Sequence, residues 1–167
     1  MSRLVLIGAP GAGKSTVGKA LSEKLNREFL DTDVLIQDST GKTVTDIFVV
    51  DGEEAFRAIE LKVLADVLKS ENTVISLGGG APISEQAQRL ITDSQSLVIF
   101  LDVSLATAAP RVGFNRDRPL LLGNPRAQWQ ALSEKRRPIY EQLADVAIKV
   151  DEMDVDAIVT AIVKEAK

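Results

Sequence analysis

Short apolar runs alternate along the chain with longer stretches in which apolar side chains return every three or four positions. Leu4 to Ile7 is unbroken and predicts a buried strand, followed by a glycine-rich turn and a helix over Lys14 to Leu25. Glu28 to Leu30 predicts a short second strand that ends at Asp31-Thr32-Asp33. A long helical zone comes next. Within it Asp51 and Glu54 have the spacing of an acidic capping box, and Phe56, Ile59, Val63 and Val67 share one face. Thr73–Leu77, Leu97–Leu101 and Val146–Lys149 predict the remaining strands. Helices are expected near Ser84–Thr92, Leu105–Arg111, Arg126–Leu143 and Val155–Ala166. Strand and helix in alternation predict an α/β fold, a parallel sheet covered by helices on both faces. Ligands of such folds bind at the carboxyl ends of the strands.

Composition narrows this picture without changing it. The 167 residues suit one domain, 1–167, with no internal repeat, low-complexity tract or linker. Hydrophobic residues make up 45% and charged residues 26%, as in ordinary globular chains. There is no cysteine, which excludes disulfides and thiolate metal sites and suits a cytoplasmic setting. The N-terminal stretch lacks signal-peptide form, and the longest apolar runs are far too short to span a membrane. A net charge of −4 argues against nucleic-acid binding. Positive charge is local, at Arg111, Arg116 and Arg118 and again at Lys135, Arg136 and Arg137. These groups are either solvated surface or the lining of a site for a small anion.

Gly8-Ala9-Pro10-Gly11-Ala12-Gly13-Lys14-Ser15 is a complete G-x-x-x-x-G-K-[ST] motif between a strand and a helix. Its glycines let successive N–H groups converge on phosphate oxygens, and the following helix adds positive dipole charge. Lys14 is expected to reach the β- and γ-phosphates, and Ser15 to offer its hydroxyl to Mg²⁺. A guanine-specific switch protein is a poor fit, because Asn115-Arg116-Asp117-Arg118 does not spell Asn-Lys-x-Asp.

Other candidate groups have two readings each. In Asp31-Thr32-Asp33 one carboxylate could order a metal-bound water and the other accept a hydroxyl proton, or the trio could cap the next helix. Gly78-Gly79-Gly80, after Ser76, is either a turn or a place where backbone must approach something small. Arg57 with Glu60 three residues on is either an exposed helix ion pair or a guanidinium held for a ligand.

Taken in order, these segments resemble shikimate kinases. The likeness runs through Gly8–Ser15, Asp31-Thr32-Asp33, Ile47-Phe48, Gly52-Glu53 to Phe56-Arg57 and Glu60, then Gly78-Gly79-Gly80. It continues in Arg116-Asp117-Arg118-Pro119-Leu120-Leu121 and Arg136-Arg137-Pro138-Ile139-Tyr140. The resemblance implies a three-layer P-loop kinase with a five-stranded parallel sheet. It would transfer the γ-phosphate of ATP to the 3-hydroxyl of shikimate, in aromatic amino-acid biosynthesis by way of chorismate. It implies ATP binding by Gly11, Ala12, Gly13, Lys14, Ser15, Thr16, Arg111 and Arg118, with Mg²⁺ on Ser15 and Asp31. Asp33, Lys14 and Arg118 are the implied catalytic residues, Asp33 being the usual candidate base. Asp33, Arg57, Gly78, Gly79, Gly80 and Arg136 would bind shikimate, within a segment of about 33–60 and beyond it. Residues from about 112 to 124 match a lid carrying Arg118. Phe48 and Phe56 would face the carbocycle, or simply fill the core. Val150-Asp151-Glu152-Met153-Asp154, where adenine should lie, gives no residue-level match. The implied partners are ATP and shikimate alone, with neither nucleic acid nor membrane, and the default state is a monomer. A kinase for gluconate or a nucleoside monophosphate, or a non-catalytic nucleotide sensor, are the rival readings.

Overall fold

The computed structural model describes residues 3–112 and 124–166. Its strands are β1 (Arg3–Ile7), β2 (Glu28–Asp31), β3 (Thr73–Ser76), β4 (Leu97–Asp102) and β5 (Val146–Lys149). They form one sheet in the order β2-β3-β1-β4-β5, with every neighbouring pair parallel. The helices are α1 (Lys14–Leu25), α2 (Thr32–Thr40), α3 (Val44–Asp46), α4 (Glu53–Val67), α5 (Glu85–Asp93), α6 (Leu105–Val112), α7 (Pro125–Leu143) and α8 (Val155–Ala166). Among the described residues no helix is long and apolar enough to cross a membrane.

The unbroken apolar run of β1 follows from its central place, because both of its faces are covered. Leu4 and Leu6 join Val17, Leu21, Ile158 and Ile162 in the core under α1 and α8. Val5 and Ile7 point the other way, to Leu64, Ile91, Phe100 and Tyr140 under α4, α5 and α7. A third, small cluster of Ile36, Ile47 and Phe56 supports the excursion between β2 and β3.

The capping box expected from Asp51 and Glu54 does not form. Asp51 ends a π-helical turn, Ile47–Asp51, and its carboxylate pairs with Lys42 at 2.9 Å. The amide of Gly52 closes that turn on the Ile47 carbonyl at 3.0 Å, so Gly52, at φ 95°, becomes the N-cap of α4 with no side-chain cap. Glu53 and Glu54 then fall in the first turn, where carboxylates favour the helix dipole.

Candidate active site: a cleft between two glycine-rich loops

The carboxyl ends of β1, β2 and β3 open into one cleft of about 630 Å³. On the β1 side the chain leaves Ile7, passes through Gly8–Gly13 and enters α1, whose N-cap Gly13 sits at φ 92°. The Lys14 ammonium lies over the loop, donating to the carbonyls of Gly8 at 2.7 Å and Ala9 at 3.1 Å. Two later helices hold the loop from outside. From α6, Arg111 Nη1 donates to the Gly11 carbonyl at 3.1 Å; from α7, Trp129 Nε1 donates to the Pro10 carbonyl at 2.9 Å. Ala12, Thr16, Arg111, Met153 and Asp154 all line the cleft, so the unmatched 150–154 segment does border it. Within that segment Asp151 accepts from the Ser104 amide at 2.9 Å, and this bond holds its carboxyl below the ordinary range.

At the end of β2, Ser15 Oγ donates to Asp31 Oδ2 at 2.5 Å. The other Asp31 oxygen accepts from the amides of Asp33 (3.0 Å) and Val34 (3.4 Å), so Asp31 caps α2 and meets the phosphate loop at once. The two readings of this residue are compatible. Ser15 and Asp31 supply the oxygen donors that a hard cation such as Mg²⁺ prefers. Among the described residues no group of three His, Cys, Asp or Glu could form a metal site by itself, so water and phosphate oxygens would complete the shell. Thr32, fully buried, ties the strand ends together: its Oγ1 accepts from the Gly78 amide at 3.0 Å and reaches the Ser76 carbonyl at 3.5 Å.

Beyond β3 the three glycines each face a charged side chain. A Cβ on Gly78 would stand 2.7 Å from Asp33 Oδ1, one on Gly79 3.3 Å from Arg136 Nη1, and one on Gly80 2.5 Å from Arg57 Nη1. Arg57, on α4, pairs with Glu60 at 2.7 Å and more loosely with Glu53 at 3.6 Å. Its guanidinium also lies 5.7 Å from the ring of Phe48 and 5.2 Å from that of Phe56. Phe56 is buried in the third cluster, with Phe48 partly buried against it, so both rings pack as core as well as flanking Arg57. Arg136, on α7, is only 8% exposed although it is a cation. Arg57, Glu60, Gly80, Lys135 and Arg136 line an adjoining cleft of about 590 Å³.

Burial pushes the Glu60 carboxyl above the ordinary range, against the pull of Arg57, with Asp33 adding to the rise and Arg136 opposing it. These four groups therefore share one electrostatic environment. Arg137 does not belong to it; its guanidinium grips both oxygens of Asp102 and reaches Glu141. Arg118, and with it residues 113–123 of the expected lid, lies outside the described residues. Two residues not singled out for the site, Trp129 and Tyr140, hydrogen-bond its loops, at the Pro10 and Gly79 carbonyls. The arrangement places an anion-binding loop, a carboxylate and two guanidiniums side by side. That set can hold a polyphosphate against a hydroxylated acceptor that carries its own carboxylate.

The family model for shikimate kinase matches residues 10–167. A shikimate kinase of Thermobifida fusca is 50% identical over 161 residues, which cover 96% of this chain and 92% of the relative. One from Rhodococcus jostii is 42% identical over 150 residues, covering 89% and 88%. Among solved structures, a shikimate kinase from Acinetobacter baumannii in complex with shikimate superposes with a TM-score of 0.95. It is 31% identical, with 99% of this chain and 93% of that one covered.

Proposed function

The chain belongs to the shikimate kinase family, and from that premise we propose that it transfers the γ-phosphate of ATP to the 3-hydroxyl of shikimate. The products are shikimate 3-phosphate and ADP, in the route to chorismate. The observation that carries the reading is the row Gly78-Gly79-Gly80, which brings backbone against Asp33, Arg136 and Arg57 beside the phosphate loop. Two guanidiniums suit a ring carboxylate, because each offers paired donors that fix orientation as well as charge.

In the mechanism we propose, the loop amides and Lys14 hold the triphosphate, while Arg57 and Arg136 hold the carboxylate and so aim the 3-hydroxyl at the γ-phosphorus. That oxygen forms the new P–O bond as the bond to the ADP oxygen breaks, and Asp33 accepts the hydroxyl proton. Mg²⁺ held through Ser15, Asp31 and the phosphates would neutralise charge on the transferring group. Gly11 to Thr16 and Arg111 are assigned to ATP. Arg118, from the 112–124 segment, is assigned to the transferred phosphate. We assign 1–167 to one kinase domain working as a cytoplasmic monomer.

A coupled assay of ADP release tests the acceptor. Shikimate should support turnover far above gluconate or any nucleoside monophosphate. Equal rates with gluconate would show that the clamp reads only a carboxylate, and a preferred nucleotide acceptor would overturn the reading.

A further inference from the structure

Helix α7 reaches both loops with one face. Trp129, Arg136 and Tyr140 lie at i, i+7 and i+11, in one stripe along the helix. The Tyr140 hydroxyl donates to the Gly79 carbonyl at 2.6 Å, and the Trp129 indole N–H donates to the Pro10 carbonyl at 2.9 Å. The two acceptors belong to loops that touch: a Cβ on Gly79 would stand 3.1 Å from Pro10 Cδ. Both aromatic side chains are sealed from water, at 3% and 1% exposure. Tyr140 is braced by the Phe100 ring, 5.2 Å between centroids. Burial raises the phenol's pKa, so it remains a donor throughout the neutral range.

We propose that Trp129 and Tyr140 are positioning residues through which α7 sets where the donor loop and the acceptor loop stand relative to each other. Neither touches a substrate in this role; Trp129 acts through the Pro10 carbonyl, and Tyr140 through the Gly79 carbonyl and the Arg136 side chain that also hydrogen-bonds its hydroxyl. The inference rests on the assignment of Gly8–Ser15 to ATP and Gly78–Gly80 to the acceptor. Removing either donor takes away the bond that fixes a partly buried loop carbonyl, and the loop is then free to shift.

Steady-state kinetics of Tyr140→Phe and Trp129→Phe test this with opposite expected signatures. Tyr140→Phe should raise the shikimate KM about fivefold while the ATP KM stays within about twofold, the effect of one hydrogen bond felt at one loop. Trp129→Phe should do the reverse. Phe100→Leu is the packing control: it loosens the brace but removes no donor, so it should lower Tm without splitting the two KM values. Equal rises in both KM values for Tyr140→Phe, or no change in either, would overturn the proposal. A wild-type enzyme inactive on shikimate would instead overturn the acceptor assignment. Calorimetric ADP binding to Trp129→Phe would then still report on the donor half.

Discussion

At the donor loop, Gly11 and Gly13 sit at φ +86° and +92°, where a side chain strains the backbone, yet a Cβ on Gly13 would meet nothing nearer than 3.6 Å. At the acceptor loop none of Gly78, Gly79 and Gly80 has positive φ, yet a Cβ on Gly80 would collide with Arg57. Glycine thus shapes the donor loop by conformation, with Gly8 and Gly11 also packed tightly against Leu101 and Val112, and the acceptor loop by leaving room for charged side chains. The proposed donor site is built from consecutive backbone, whereas the proposed acceptor site is assembled from α2, α4, the loop after β3 and α7. Damage to the first should register as loss of fold and nucleotide binding together. Damage to the second should register in the acceptor alone.

The largest effect should come where the two regions meet. Asp33→Asn keeps the shape beside Gly78 but cannot take up the hydroxyl proton, so kcat should fall roughly 10²- to 10⁴-fold. Calorimetric ADP binding should be unchanged, and a wild-type kcat would remove Asp33 from proton transfer. A pair of glycine variants sharpens the contrast. Gly80→Ala pushes on the guanidinium end of Arg57 and on no backbone, so the shikimate KM should rise about tenfold, as for one charge-assisted hydrogen bond, with Tm nearly constant. Gly13→Ala should instead cost about 1–2 kcal/mol of stability from the left-handed backbone and weaken ATP binding with it. Equal Tm losses in both would erase the distinction.

The smallest effect belongs to Glu60. Its native pKa is raised by burial, so its contribution to stability is intact below the ordinary carboxylate value and is lost as pH rises through the native one. Glu60→Gln should match wild-type Tm in acid and then gain on it toward neutrality. A gap that opens toward acid instead would mean that the Arg57 pair outweighs desolvation.

The phosphate loop was legible because its chemistry is contiguous: strand, glycines, lysine and helix follow one another without interruption. The central strands β1, β3 and β4 were legible for a similar reason, since burial on both faces leaves an apolar run, whereas the edge strands β2 and β5 keep exposed positions and were read only as short β-prone segments. Asp33, Arg57 and the glycine row could be read two ways each, and Arg136 could be named only by resemblance. Nothing local distinguishes Arg136, which faces Gly79, from Arg137, which pairs with Asp102. Trp129 gave no signal, and Tyr140 appeared only within the family likeness with no role attached, because their partners lie 119 and 61 positions away. The Asp51 capping box failed because Lys42, nine residues back, offered a charge partner and Gly52 closed the turn first.

The bond between Trp129 and Pro10 has a practical side. Trp129 is the only tryptophan in the sequence, and its indole hydrogen is committed to the donor loop. Excitation of the native protein therefore selects a single chromophore seated directly behind that loop. Occupancy of the nucleotide site can be followed by its emission, with no label attached and no turnover required.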